Sequence, residues 1–140
     1  MAILARMLRH RGGSSAVEFA IIAPIFLLVL LTMIAYGIYL MTAHSVQQVA
    51  ADAARTAVAG LNNNERQALA KDFVTRTSLG YVFMNKRYFN VTVGQDLNNS
   101  NQFTVTVEYD ATELPIWNLY SYALPEKTIK RFSTIRIGGV

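Results

Sequence analysis

The chain has no cysteine and only two histidines, His10 and His44. The lack of cysteine excludes disulfide bonds and thiolate metal sites. The histidines lie at the basic start of the chain and at the end of a long apolar run, so neither can join a catalytic group in a globular domain. The sequence also lacks the His-Glu-x-x-His, Gly-x-Ser-x-Gly and phosphate-loop motifs. We therefore expect a protein that is not an enzyme and that has no metal site and no cofactor.

Charged residues are also scarce, at 16% against about 25% in average soluble domains. The scarcity is local, because between Phe19 and Ala43 the only ionisable side chains are two tyrosines. Of the formal net charge of +4, three positive charges belong to Arg6, Arg9 and Arg11. The remaining basic clusters are short, so no nucleic-acid partner is expected.

The uncharged run of residues 19–43 would form a helix about 37 Å long, whereas the hydrocarbon core of a bilayer is about 30 Å thick. A buried core helix rarely stays uncharged over such a length. A cleaved secretory signal would have an apolar region of about 7–15 residues and a small-x-small cleavage site. Met41-Thr42-Ala43 is a poor site of that kind. The run therefore predicts a transmembrane helix over residues 14–43.

The three arginines before this helix predict a cytoplasmic N-terminus. Residues 44–140 would then form a domain outside the cytoplasm, which in a bacterium is the periplasm or the cell surface. The membrane is thus the first expected partner.

One acid, Glu18, lies directly before the apolar run. A carboxylate beside a membrane span is costly and usually has a functional partner, although at the headgroup level the cost is small. Its sequence context is Gly12-Gly13-Ser14-Ser15-Ala16-Val17-Glu18-Phe19-Ala20-Ile21-Ile22-Ala23-Pro24. A basic leader ending in glycine, followed by this acid and the span, resembles the processing site of type IV prepilins. The Glu-Phe-Ala, aliphatic and proline series is similar to that of the TadE-like family of minor pseudopilins from the tight adherence (Tad, or Flp) pilus apparatus.

The resemblance implies that a prepilin peptidase removes the leader, residues 1–13, by cutting between Gly13 and Ser14. Glu18 would become the fifth residue of the mature chain, next to Phe19, and would pair with the new amino group in assembly. The implied partners are other pilin-like subunits, namely the major pilin and a sister minor pseudopilin, and the Tad assembly proteins. The implied location is the bacterial inner membrane or an extracellular pilus. TadE and its sister TadF share this segment, so it does not distinguish them.

Pro24 lies near the start of the predicted span. Proline removes a helix hydrogen bond and kinks the helix, and membrane helices tolerate it. We consider two interpretations, a tolerated kink and a swivel that lets the anchor leave the bilayer.

The pattern after residue 43 predicts an α+β domain. Small apolar residues on one face between His44 and Leu61 predict that the helix continues beyond the span, and Gly60 to Asn64 predict its stop, a loop and a new cap. A second helix is expected from Glu65 to Leu79, with Asn64 as its N-cap. Alternating residues predict strands over 88–93, 103–110 and 128–137, the first two as an antiparallel hairpin.

The segment from Leu114 to Pro125 is rich in aromatic residues. Trp117, Tyr120 and Tyr122 form a possible partner surface, because Trp and Tyr are enriched at interfaces. The alternative is that they pack locally on the sheet.

The resemblance thus implies a minor pilin-like component of a Tad/Flp-type pilus assembly or secretion apparatus, one that supports adhesion. The alternative is an unprocessed, signal-anchored periplasmic protein that binds a ligand or partner. The two differ in whether the leader is removed and whether Glu18 matters.

Overall fold

The computed structural model describes residues 12–77, 84–96, 99, 101–118 and 125–137, with side chains from Ser15 onward. Two helices, α1 (Gly12–Ala57) and α2 (Asn63–Thr77), precede three strands, β1 (Phe89–Gln95), β2 (Gln102–Asp110) and β3 (Thr128–Arg136). The strands form one antiparallel sheet in the order β1-β2-β3. The predicted α+β class, with a long N-terminal helix, a second helix and a small antiparallel sheet, is confirmed.

Helix α1 is continuous over 46 residues, including Pro24, and is about 69 Å long. It joins the predicted membrane span to the predicted helical extension without a break. It ends at Ala57, whose carbonyl accepts a hydrogen bond from the backbone of Gly60 at 3.0 Å. The helix thus ends three residues before Gly60, where the sequence predicts a stop, and the Leu61 side chain, expected on the apolar face, is 89% exposed.

The turn between the helices fixes the start of α2. The Asn62 side chain accepts a hydrogen bond from the backbone N–H of Glu65 at 2.9 Å. In return, the Glu65 carboxylate accepts from the backbone N–H of Leu61 at 2.8 Å. This reciprocal arrangement is a capping box. Asn62, not Asn64, is therefore the N-cap, and the prediction failed because three successive asparagines offer the same side chain.

The central strand β2 carries the clearest part of the core. Its residues alternate, so that Phe103, Val105, Val107 and Tyr109 are all buried, as the alternation of the sequence predicts. The hairpin is also confirmed, because β1 pairs with β2 from Phe89 opposite Tyr109 to Gln95 opposite Phe103. The third strand, β3, completes the sheet on the other side of β2.

The two helices cover one face of the sheet, with α1 against β2 and β3 and α2 against β1. The face of α1 toward the sheet is built from small residues, which let the helix backbone approach the strands closely. Its buried members in this part are Val46, Val49, Ala50, Ala53, Ala54 and Ala57. On the opposite, open face of the sheet, Lys130 and Glu108 form an ion pair at 2.9 Å.

Candidate functional site

The N-terminal part of α1 presents apolar side chains on all of its faces. Large hydrophobic residues are 39–72% exposed from Val17 to Leu31. A helix that is apolar all round needs either a lipid or a protein environment. Among the described residues this is one helix that is long and apolar enough to cross a membrane. The chain therefore has one long apolar helix of the kind that anchors a single-pass membrane protein.

The exposed apolar part of α1 has a defined length. From Ser15 to Ile34 no side chain is buried, whereas Ala35 has no exposed surface at all. These twenty residues span about 30 Å as a helix, which equals the approximate thickness of the hydrocarbon core. The Thr32 hydroxyl within this part donates to the Leu28 carbonyl at 2.8 Å. Its polar group is thus satisfied by its own helix, as a lipid environment requires.

Glu18 lies on the exposed surface of α1, in the first turns of the helix. The backbone of Gly13 and Ser14 is part of the same helix. Positions 14 and 18 are four residues apart, so they lie on the same side of the helix, about 6 Å apart along its axis. Arg6, Arg9 and Arg11 lie outside the described residues. The geometry is suited to an ion pair between an amino group at position 14 and the Glu18 carboxylate.

Phe19 and Pro24 follow on the same helix. Phe19 is 72% exposed, among the most exposed of the large apolar side chains. The helix continues through Pro24, which lacks the N–H that would bond to the Ala20 carbonyl and does not end the helix. Both interpretations of Pro24, the tolerated kink and the swivel, stay predictions.

The globular domain also contacts α1 on the N-terminal side of residue 43, where the sequence placed the boundary between span and domain. Ala35, Tyr39, Thr42 and Ala43 are all buried against the domain. The Tyr39 hydroxyl donates a hydrogen bond at 3.4 Å to the backbone carbonyl of Glu126, in the segment before β3. The contacts between α1 and the domain therefore begin at Ala35, directly after the exposed apolar part of the helix.

Trp117 belongs to a short 3-10 helix, Pro115–Asn118, between β2 and β3. Its indole N–H donates to the Ala111 carbonyl at 2.5 Å, and the Lys127 ammonium lies 5.5 Å from the ring centroid. The side chain is half-buried and packs against the core. Tyr120 and Tyr122 lie outside the described residues. The partner surface therefore stays a prediction, with Trp117 partly used for local packing.

The buried cation Arg66 is a feature that the sequence did not indicate. Its Nε donates to the Gly60 carbonyl at 3.1 Å, and its guanidinium carbon lies 5.0 Å from the centroid of the Phe103 ring. Gly60 is needed here, because a Cβ at this position would lie 2.7 Å from the Arg66 backbone nitrogen. Arg66 thus joins the turn after α1 to the start of β2.

Two glutamine side chains form hydrogen bonds with the backbone of the two edge strands. The Gln67 side chain donates to the Val91 carbonyl at 2.5 Å and accepts from the Val93 N–H at 2.6 Å. On the other edge, the Gln47 side chain donates to the Phe132 carbonyl at 3.1 Å. Free strand edges recruit other strands, so these amides occupy positions where another chain would pair. Nothing in the amino-acid pattern distinguishes these glutamines from ordinary surface residues.

The titratable groups with altered pKa values have structural causes. The pKa of Glu108 is lowered by its hydrogen bond and ion pair with Lys130, and that of Asp110 by hydrogen bonds from Thr112. Burial raises the pKa of Tyr109. In the described part of the chain, no three His, Asp or Glu side chains come together as a possible metal site. The site that the geometry presents is therefore the apolar helix and its N-terminal acid.

The comparison with protein families points to this same helix. The family model described as TadE-like protein matches residues 13–55, which are nearly all of α1. No curated protein and no solved structure matches the chain. The resemblance drawn from the residues around Glu18 is thus confirmed: residues 13–55, about a third of the chain, are similar to the TadE-like family.

Proposed function

We propose that the chain is a minor pilin-like component, a pseudopilin, of a Tad/Flp-type pilus assembly or secretion apparatus. The family match supports a part in Tad pilus assembly. The observation that carries the proposal is the helix itself. It exposes apolar side chains on every face from Val17 to Leu31 and has an acid one turn after Ser14.

In this proposal a prepilin peptidase in the inner membrane cuts between Gly13 and Ser14. The leader lies on the cytoplasmic side and the domain in the periplasm. Glycine before the bond has no Cβ and lets the backbone enter a narrow active site. The cut creates an α-ammonium at Ser14, on the side of the helix that carries Glu18. An acid near a helix N-terminus is also favoured by the helix dipole.

The mature helix would then pack with the helices of other pilin-like subunits. In a low-dielectric helix bundle an unpaired carboxylate is strongly unfavourable, whereas a pair with an ammonium offsets that cost. Glu18 would therefore select a register in which it meets an amino group, its own or that of a neighbouring subunit. The role of the protein is structural, and the domain outside the membrane supports assembly and adhesion.

The experiment that tests this proposal replaces Glu18 in the native cell and measures assembled pili and surface adhesion. Glu18→Gln keeps the size of the side chain and removes its charge, and Glu18→Ala removes both. Asp72→Ala, which removes an exposed acid on α2, is the matched control. We expect both Glu18 variants to be processed and membrane-bound but to lose assembly, with the control unaffected.

Normal assembly by both Glu18 variants would contradict the proposed pairing. If, in addition, a Gly13→Leu chain kept its leader and still functioned, the alternative would be favoured. The protein would then be an unprocessed, signal-anchored domain that binds a ligand or partner in the periplasm.

A further inference from the structure

The domain has two ends, which differ in their distance from the apolar part of α1. Tyr39 contacts Glu126 just before β3, and Gln47, two turns further along α1, contacts Phe132 within β3. Strand β3 therefore runs in the same general direction as α1, away from the exposed apolar part. Its start, at Thr128, lies at the end of the domain near that part.

Contacts at the other end of α1 agree with this direction. Arg66, just after the turn that ends α1, covers Phe103 at the start of β2. Asn63 bonds at 3.0 Å to Gln95 at the end of β1. Because the strands are antiparallel, the start of β1, the end of β2 and the start of β3 share one end of the sheet.

We call this end, close to the apolar part of α1, the proximal end. Its described connecting residues are 84–88 and 111–118 with 125–127. The described connecting residues of the distal end are 58–62, 96, 99, 101 and 137.

The described residues of the two ends differ in composition. The proximal end carries aromatic, apolar and basic side chains, namely Met84, Lys86, Arg87, Tyr88, Trp117 and Lys127. The described connecting residues of the distal end include no aromatic and no basic residue, while Arg136 ends the adjoining strand β3, and four of the nine are polar or acidic: Asn62, Asp96, Asn99 and Asn101. Met84, Tyr88 and Trp117 are partly buried and pack against the core, so they offer only the exposed part of each side chain to a partner.

The length of α1 gives the height of the proximal end above a bilayer. Twenty residues cross the hydrocarbon core. Counted from Ser15 they end at Ile34, and counted from Phe19 they end at Ile38. Tyr39, which contacts the proximal segment through Glu126, lies within about one and a half helical turns of either limit. The proximal end therefore lies at the level of the lipid headgroups.

We infer that the proximal end is a membrane-contact surface, on which the domain rests against the headgroup region of the bilayer that holds α1. Trp and Tyr have an apolar body and a polar tip and are enriched at this level. Lys and Arg place their aliphatic stems against apolar surface and extend their charge to the headgroups. The inference rests on anchoring of α1 in a bilayer, not on leader cleavage or assembly.

The net charge of the proximal end indicates the charge of the lipid headgroups that it would contact. The proximal end carries three basic residues, Lys86, Arg87 and Lys127, and two acids, Glu113 and Glu126, and a third acid, Asp110, ends the adjoining strand β2. The surface is thus close to neutral, and its contact is with zwitterionic headgroups through aromatic and apolar groups. This contact would hold the domain in place and would have to be released when α1 leaves the membrane.

The chain contains a single tryptophan, and Trp117 is at the proximal end, so its fluorescence reports directly on this surface. The full-length protein is reconstituted in phosphatidylcholine vesicles whose acyl chains carry bromine, a short-range quencher, either near the headgroup or near the bilayer centre. Two control chains carry Trp117→Phe with one new tryptophan, at Leu28 in the apolar helix or at Leu61 at the distal end. Leu61 is 89% exposed, so its replacement disturbs no packing.

We expect Trp117 to be quenched more by bromine near the headgroup than by bromine at the bilayer centre. The Leu28→Trp chain is expected to show the reverse order, and the Leu61→Trp chain no quenching. Quenching at position 28 without quenching of Trp117 would overturn the inference and leave anchoring intact. Equal quenching of Trp117 and of position 61 would overturn it as well, because the whole domain would then lie on the bilayer. No quenching at position 28 would overturn anchoring and the inference together.

Discussion

Gly60→Ala changes one hydrogen to a methyl group at the junction between the two helices. A Cβ at this position would lie 2.7 Å from the backbone nitrogen of Arg66, 2.8 Å from its Cγ and 3.0 Å from its Cα. Two of the three atoms belong to the backbone in the first turn of α2, so a rotation of the side chain alone cannot relieve the contact. The first turn of α2 must move away from Gly60, by roughly half an ångström or more given ordinary van der Waals separations.

The expected loss of stability follows from the hydrogen bonds that Arg66 makes to the turn between the helices. Its backbone N–H donates to the Asn62 carbonyl at 3.0 Å, and its Nε donates to the Gly60 carbonyl at 3.1 Å. Overpacking costs about 1–3 kcal/mol, and each weakened hydrogen bond adds up to about 1 kcal/mol. We therefore expect Gly60→Ala to lower the free energy of unfolding by about 2–4 kcal/mol.

Gly94→Ala is the matched control, because a Cβ there would meet nothing within 4 Å. Its effect should be between zero and a gain of about 1 kcal/mol, through the stiffer unfolded chain. The assay is urea unfolding of the full-length chain in lipid nanodiscs, followed by Trp117 fluorescence. A loss of 3 kcal/mol lowers the urea midpoint by about 1.5 M at a slope of about 2 kcal/mol per M. Equal midpoints for the two variants would refute the role given to Gly60 and Arg66.

Two other features of the domain give testable expectations. Gln67→Ala removes both bonds to the β1 edge, at Val91 and Val93, and should cost about 1–2 kcal/mol and promote association through the open edge. Sedimentation of the variant and of the unaltered chain in detergent would measure this, and equal sedimentation coefficients would contradict the expected association. Lys130→Ala should raise the pKa of Glu108, which Lys130 now holds down. Because that pKa is lower in the folded than in the unfolded chain, the pair stabilises the fold above the unfolded pKa, and the gain is lost as the pH falls through the folded pKa. The measurement is an NMR titration, in which the pKa of Asp110, lowered mainly by Thr112, should not change. An unchanged pKa of Glu108 in the Lys130→Ala variant would show that Lys130 does not cause its shift.

The elements that follow from local pattern were predictable from the sequence. The uncharged run gave α1, and the alternation from Phe103 to Tyr109 gave β2 and its buried face. The hairpin followed because two alternating segments flank a polar, turn-rich connection. Each of these signals is carried by residues that are neighbours in the chain.

What the sequence did not give depends on contacts between distant residues. The amides of Gln47 and Gln67 are indistinguishable in the sequence from solvated side chains until the sheet edges are placed beside them. The capping role of Asn62, instead of Asn64, depends on where the turn after Ala57 ends and α2 begins. The burial of Ala35 and Tyr39 depends on how far the domain reaches down α1, which an apolar pattern alone does not reveal.

The candidate site also has a part that local sequence pattern predicts and a part that depends on contacts between distant residues. Glu18, Phe19 and Pro24 were predicted from their spacing relative to Gly13; the family model covers that segment, and the roles given to these residues stay predictions. The proposed membrane-contact surface was indicated only in part, because the sequence pointed to Trp117 in one connection and not to residues 84–88 in the other. Only the direction of β3 relative to α1 brings them together.

The most direct test of the central claim is the intact mass of the protein purified from its native membrane. Leader removal predicts a chain that begins at Ser14, four residues before Glu18, and lacks Met1 to Gly13. A functional protein that keeps those thirteen residues would contradict the claim, because no amino group would then exist at Ser14 for Glu18 to pair with.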